Sequence, residues 1–107
     1  MTKIENARIT AAKWSNEECL THEIYLEGDG WCGCTFGGFV LERDHAAIWI
    51  KNLMNVIGTD DVDSSEIIGK YIRIRFNGDK PYNSQIEAIG NILKDVWFDP
   101  KEAFKTE

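Results

Sequence analysis

The chain has no apolar run approaching the roughly 20 residues that a bilayer-spanning helix needs, so nothing points to a membrane anchor. Its opening residues, Met1-Thr2-Lys3-Ile4-Glu5-Asn6, lack the apolar stretch of a secretory leader, and a cytoplasmic location is the expectation. Basic residues are scarce. Twelve Lys and Arg face eighteen Asp and Glu, a formal net charge of −6, which disfavours non-specific attraction to nucleic acid or anionic membranes. There is no internal repeat, low-complexity tract or linker. No G-x-S-x-G, P-loop or H-E-x-x-H is found, and histidine is limited to His22 and His45, so catalysis has no motif to rest on. Three cysteines, an odd count, suit free thiols or metal ligands in a reducing compartment better than disulfides.

What is present suits one small domain spanning residues 1–107. A hydrophobic fraction of 43%, with four Trp, three Tyr and five Phe, is enough for a modest core. The first half reads as strands. Residues 6–14 alternate, with Ala7, Ile9 and Ala11 on one face, and residues 22–27 alternate around Ile24 and Leu26. Gly28-Asp29-Gly30 is a hairpin signal, and residues 31–41 form a third strand rich in glycine and aromatics. The period then changes. Ala46, Ala47, Ile50, Leu53, Met54 and Ile57 recur at helical spacing, with Asp44 placed to cap the start and Gly58 the end, and with Trp49 at the edge of the stripe.

Asp63-Ser64-Ser65-Glu66 resembles a capping arrangement for a short second helix ending near Gly69. Residues 71–76 are the clearest strand, with Ile72, Ile74 and Phe76 facing one way and Tyr71, Arg73 and Arg75 the other. A fifth strand is expected over residues 85–92, with Ile86 and Ala88 on one face and a bulge at Gly90. Asp99-Pro100-Lys101-Glu102 has the N-cap acid, first-turn Pro and following Glu of a short terminal helix. The expected fold is α+β: an antiparallel sheet of about five strands with one main helix packed on one face, in the order β-β-β-α-(α)-β-β-(α).

Several constellations invite chemistry. Gly28-x-Gly30-x-x-Gly33 matches a dinucleotide fingerprint in letters only, since a strand rather than a helix follows it. Cys19, His22, Cys32 and Cys34 supply four zinc-type donors. Against them, Cys19 and His22 fall on opposite sides of an extended strand, and the C-x-C pair reads as two thiols on one sheet face, packing as small hydrophobes. No metal and no cofactor is assigned, and a zinc- or thiol-dependent domain stays an alternative. Asp60, Asp61, Asp63 and Glu66 do not fit a calcium loop, because Glu66 falls at the required Gly and Ile72 at the closing acid.

The Tyr71, Arg73 and Arg75 stripe, in a segment that also holds Lys70 and Lys80, supplies guanidiniums for an anion beside a phenol. The plainer reading of the same stripe is an exposed sheet face ion-paired to acids such as Glu23, Glu27 or Glu87. Trp31 and Phe36, on the glycine-thinned strand, are candidate contact residues, and stacking on them is the basis of a second alternative, single-stranded nucleic-acid binding.

Leu26-Glu27-Gly28-Asp29-Gly30-Trp31, Phe36-Gly37-Gly38-Phe39, Glu87-Ala88-Ile89-Gly90-Asn91-Ile92 and Trp97-Phe98-Asp99-Pro100, in that order, resemble a family of small uncharacterised proteins of phage and prophage genomes. The resemblance is thinnest from position 41 to 66 and at the loop 81–84. It implies context alone: a viral accessory protein in the bacterial cytoplasm, with no catalytic residue carried over. The resulting expectation is a non-enzymatic binder that inhibits or sequesters a host protein, defence components included, or a small anionic nucleotide signal. It would contact its partner through Trp31, Phe36, Tyr71, Arg73 and Arg75, as a monomer or as a homo-oligomer.

Overall fold

The computed structural model describes residues 2–42, 44–81 and 86–104. The chain forms one antiparallel sheet of six strands with short helices, an α+β fold as its pattern predicts. The strands are β1 (Thr2–Ser15), β2 (Thr21–Gly28), β3 (Trp31–Gly37), β4 (Tyr71–Asn77), β5 (Ile86–Asn91) and β6 (Trp97–Phe98). The helices are α1 (His45–Ile57), α2 (Ser64–Ile67) and α3 (Pro100–Ala103). Spatial order across the sheet is β3-β2-β1-β4-β5-β6, which puts the long β1 at its centre. No helix among the described residues is long and apolar enough to cross a membrane.

The core lies on one face. Ile9, Ile24, Leu26, Ile72, Ile74, Phe76 and Ile89 are fully buried there, under Trp49, Leu53 and Val56 of α1 and Ile67 of α2. Helix α1 ends where Gly58 enters the left-handed region and donates to the Met54 carbonyl. Asp44 precedes α1 as expected but sits at φ −78 and ψ −10 and makes no side-chain cap, so its predicted hydrogen bond is not formed. Asp99 does cap α3, accepting from the Lys101 amide at 3.0 Å ahead of Pro100.

Three register slips correct the strand readings. In β1 the pairing with β2 shifts between Ile9 and Ala11. Thr10 is the extra residue, its hydroxyl donating to the Tyr25 carbonyl at 3.3 Å, so Ala12 rather than Ala11 continues the face of Ile9. In β5 the slip falls at Glu87 and not at Gly90, which separates Ile86 from the face of Ala88. Residue 85, the expected start of this strand, lies outside the described residues. In β3 the slip falls at Gly33, with φ +78. The third strand also ends at Gly37 rather than at residue 41; residues 38–41 continue as a loop tied down by the Leu41 amide on the Leu20 carbonyl.

The stripe of α1 also differs from its reading. Trp49 is at the centre, fully buried, while Ala47 is exposed and Met54 half-buried. The indole stacks on Phe36 at 5.5 Å and meets Phe98 edge-on at 5.3 Å. The sixth strand, missing from the prediction, is the pair Trp97–Phe98, with Phe98 turned into this aromatic cluster.

Candidate functional site

All three helices pack from the core side, and the opposite face of the sheet carries a polar and aromatic surface of its own. Alternation in β4 sends Tyr71, Arg73 and Arg75 to that face while Ile72, Ile74 and Phe76 enter the core. Pairing then builds two cross-strand rows. One runs Cys32, Glu27, Arg8, Tyr71 across β3, β2, β1 and β4. The other runs Asn6, Arg73, Gly90, Trp97 across β1, β4, β5 and β6.

Trp97 is the residue that organises the second row. A Cβ on Gly90 would come within 2.7 Å of its ring, so the indole lies on bare backbone. Arg73 and Arg75 hold their guanidinium carbons 4.9 and 5.7 Å from its centroid. Neither arginine is loose. Arg73 donates through Nε to the Asn91 carbonyl at 2.7 Å and through Nη2 to the Lys94 carbonyl at 2.8 Å. Arg75 pairs with Glu87 at 3.4 Å and with Asp99 at 2.9 Å. Asn91 braces the same corner from beneath, its amide donating to the Val56 carbonyl of α1 while its Oδ1 accepts the Leu93 and Lys94 amides. Elsewhere on the face Arg8 pairs with Glu27 at 2.8 Å, and the Tyr25 hydroxyl donates to Glu23 at 2.9 Å, which raises the phenol above its ordinary pKa.

The predicted contact residues divide. Tyr71, 57% exposed, and the half-buried Arg73 and Arg75 share the open face. Trp31 and Phe36 do not join them. Trp31 is 6% exposed, lies over Gly28 and donates to Glu5 at 3.1 Å; Phe36 is 3% exposed against Trp49. Both rings are core, because the slip at Gly33 and the alternation of β3 turn them inward, so neither presents a surface on which a base stacks.

The four metal candidates are likewise dispersed. Cys19 is exposed outside the strands, Cys32 is exposed beside Glu27 on the open face, and Cys34 is buried opposite Leu26. The extra residue Gly33 puts the two thiols of the C-x-C pair on opposite faces, correcting the same-face reading. Burial pushes the Cys34 thiol up, with Cys32 adding to the effect. His22 is 1% exposed, between Trp14 at 4.3 Å and Trp49, and its Nδ1 accepts the Trp49 Nε1–H at 2.9 Å. Nε2 then carries the proton and has no hydrogen-bond partner among the described residues. Burial lowers its pKa to about 4, against a smaller raising influence from Glu23, so the ring is neutral at ordinary pH. Among the described residues no group of three or more His, Cys, Asp or Glu is arranged to hold a metal ion.

A surface cavity of about 880 Å³ opens at one end of the sheet between Phe39, Ile86, Pro100 and Phe104. The carboxylates on its lining, Glu87 and Asp99, are the two that hold Arg75. Sequence reading missed Trp97 as a member of the face. The available signal was the pair of Gly90 and Trp97 itself: a ring needing a flat bed, and a strand glycine offering one.

Fold and site define a small single-sheet α+β domain with one covered and one open face. The chain matches no protein-family model, no curated protein and no solved structure.

Proposed function

We propose that this domain is a non-enzymatic binding module: a phage or prophage accessory protein that occupies a host protein, defence components included, in the bacterial cytoplasm. The observation that supports it is the cluster of Tyr71, Arg73, Trp97 and Arg75 on a sheet face that no helix of the described residues covers. Trp, Tyr and Arg are the residue types that dominate binding energy at protein interfaces. Here the arginines are fixed by hydrogen bonds and the indole by its seat on Gly90, so a partner meets a surface that is already ordered. The resemblance to phage proteins supplies the setting.

The test is affinity purification from host lysate with the wild-type chain, the Trp97→Ala and Tyr71→Ala double variant, and Lys51→Ala on the helix side as control. A partner captured by wild type and by the control, and lost with the double variant, supports the face. A captured set indifferent to Tyr71 and Trp97 removes it.

A further inference from the structure

Resting on that reading of the open face, we infer that Arg73 is the anchor for a carboxylate of the protein partner, with Tyr71 and Trp97 flanking the contact. Three of the described residues are arginines. Arg8 is neutralised by Glu27 at 2.8 Å, and Arg75 by Glu87 and Asp99. Arg73 differs. Its Nε and Nη2 meet only carbonyl oxygens, at 2.7 and 2.8 Å, and no carboxylate of a described residue lies within ion-pair distance of it. Asp95, the one acid of the turn between β5 and β6, accepts the Trp97 Nε1–H at 3.1 Å instead. The exposed Lys94 adds a second positive group in the same turn.

The consequence is a charge that is held in place and not compensated by any described residue. Two carbonyls fix the plane of the Arg73 guanidinium and leave Nη1 with no acceptor among the described residues. An incoming carboxylate loses little side-chain entropy on the protein's side and meets a donor already aimed.

Shape selects a protein acid over a free nucleotide. Small ligands settle in concave sites, whereas the ground around Arg73 is a sheet surface beside a Tyr71 that is 57% exposed, and the cavity lies at the sheet's end. An exposed ion pair alone contributes little to affinity, so binding here needs the surrounding ring contacts that a broad partner supplies. The chain's net charge of −6 also opposes a polyanion.

The test uses a library of random twelve-residue peptides displayed on yeast, sorted against the full chain. The expected result is enrichment of peptides with Asp or Glu beside an apolar or aromatic residue. They lose at least tenfold in affinity against Arg73→Glu, regain part against Arg73→Lys, and bind the Lys51→Glu control within twofold of wild type, circular dichroism verifying each fold. Peptides with no acidic enrichment, peptides indifferent to Arg73→Glu, or a library that enriches nothing overturn the anchor. If such peptides still lose binding to Trp97→Ala, the open face stands and only the carboxylate anchor falls; if Trp97→Ala is also silent, both fall. ATP or inorganic phosphate binding more tightly than any peptide, and abolished by Arg73→Glu, replaces the carboxylate with a phosphate ligand.

Discussion

The ring of Trp97 rests on Gly90, occupying the space within 2.7 Å of where a Cβ at that position would stand. Two residues of neighbouring strands thus share one volume, and the contents of one set the place of the other. Arg73 and Arg75 lean over the same ring, so the geometry of the open face depends on a missing side chain.

Gly90→Ala is expected to lift the indole and cost about 1–3 kcal/mol, the usual penalty for overpacking. Urea unfolding followed by circular dichroism measures it. In a Trp97→Ala background the same substitution should cost much less, because its collision partner is gone, and equal costs in the two backgrounds would refute the shared volume.

Helix α1 provides a second check. Trp49 is fully buried at the centre of the aromatic cluster, so Trp49→Ala should cost about 3–5 kcal/mol. Ala47 is exposed, and Ala47→Ser should stay within about 0.5 kcal/mol. The reverse ranking in urea midpoints would mean the helix is rotated from the orientation described.

His22 makes stability depend on pH. Burial holds its pKa at about 4 in the folded chain, against 6.5 when unfolded. Below pH 6.5 the unfolded chain takes up a proton that the folded chain refuses until about pH 4. Stability therefore declines as pH falls through that window, and it is fully kept above it. The gap corresponds to roughly 3 kcal/mol. Relative to His22→Asn, whose amide oxygen can still accept from Trp49, the wild-type chain should show the steeper loss between those limits. NMR titration of the imidazole gives the folded value directly, and a midpoint near 6.5 would contradict the buried, neutral ring.

The thiols report on the slip in β3. Cys19 and Cys32 are exposed and Cys34 is buried, so Ellman's reagent should titrate two thiols rapidly in native protein and the third only on unfolding. Three fast thiols would place Cys34 on the surface and remove the slip at Gly33.

Much of this architecture was legible because local chemistry fixes it. Tyr71–Asn77 has one strict alternation and no glycine, and the structure follows it residue for residue. Gly58 and Asp99 end and begin helices where their chemistry requires. The slips at Thr10, Gly33 and Glu87 were not legible, since one inserted residue leaves composition unchanged while reversing every side chain beyond it. That reversal misplaced Ala11 and the C-x-C pair. Trp49 was misassigned for another reason: apolar residues flank it along the helix at positions 46, 47, 48 and 50, so periodicity alone leaves the direction of the stripe open. Of the candidate face, alternation located Tyr71, Arg73 and Arg75. The seat of Trp97 depends on a cross-strand neighbour seven positions away, which no local window relates to it.

The long first strand serves two partners, β2 along one stretch and β4 along the other. Its opposition of Thr2 to Asn77 spans 75 positions. During synthesis the β2–β3 hairpin can dock on the far stretch early, but the opening stretch has no neighbour until most of the chain has left the ribosome. Its backbone amides and carbonyls wait meanwhile as an unprotected template for other strands. Assembly of this sheet is thus governed by its last-made half, with the slow closure that distant pairing imposes.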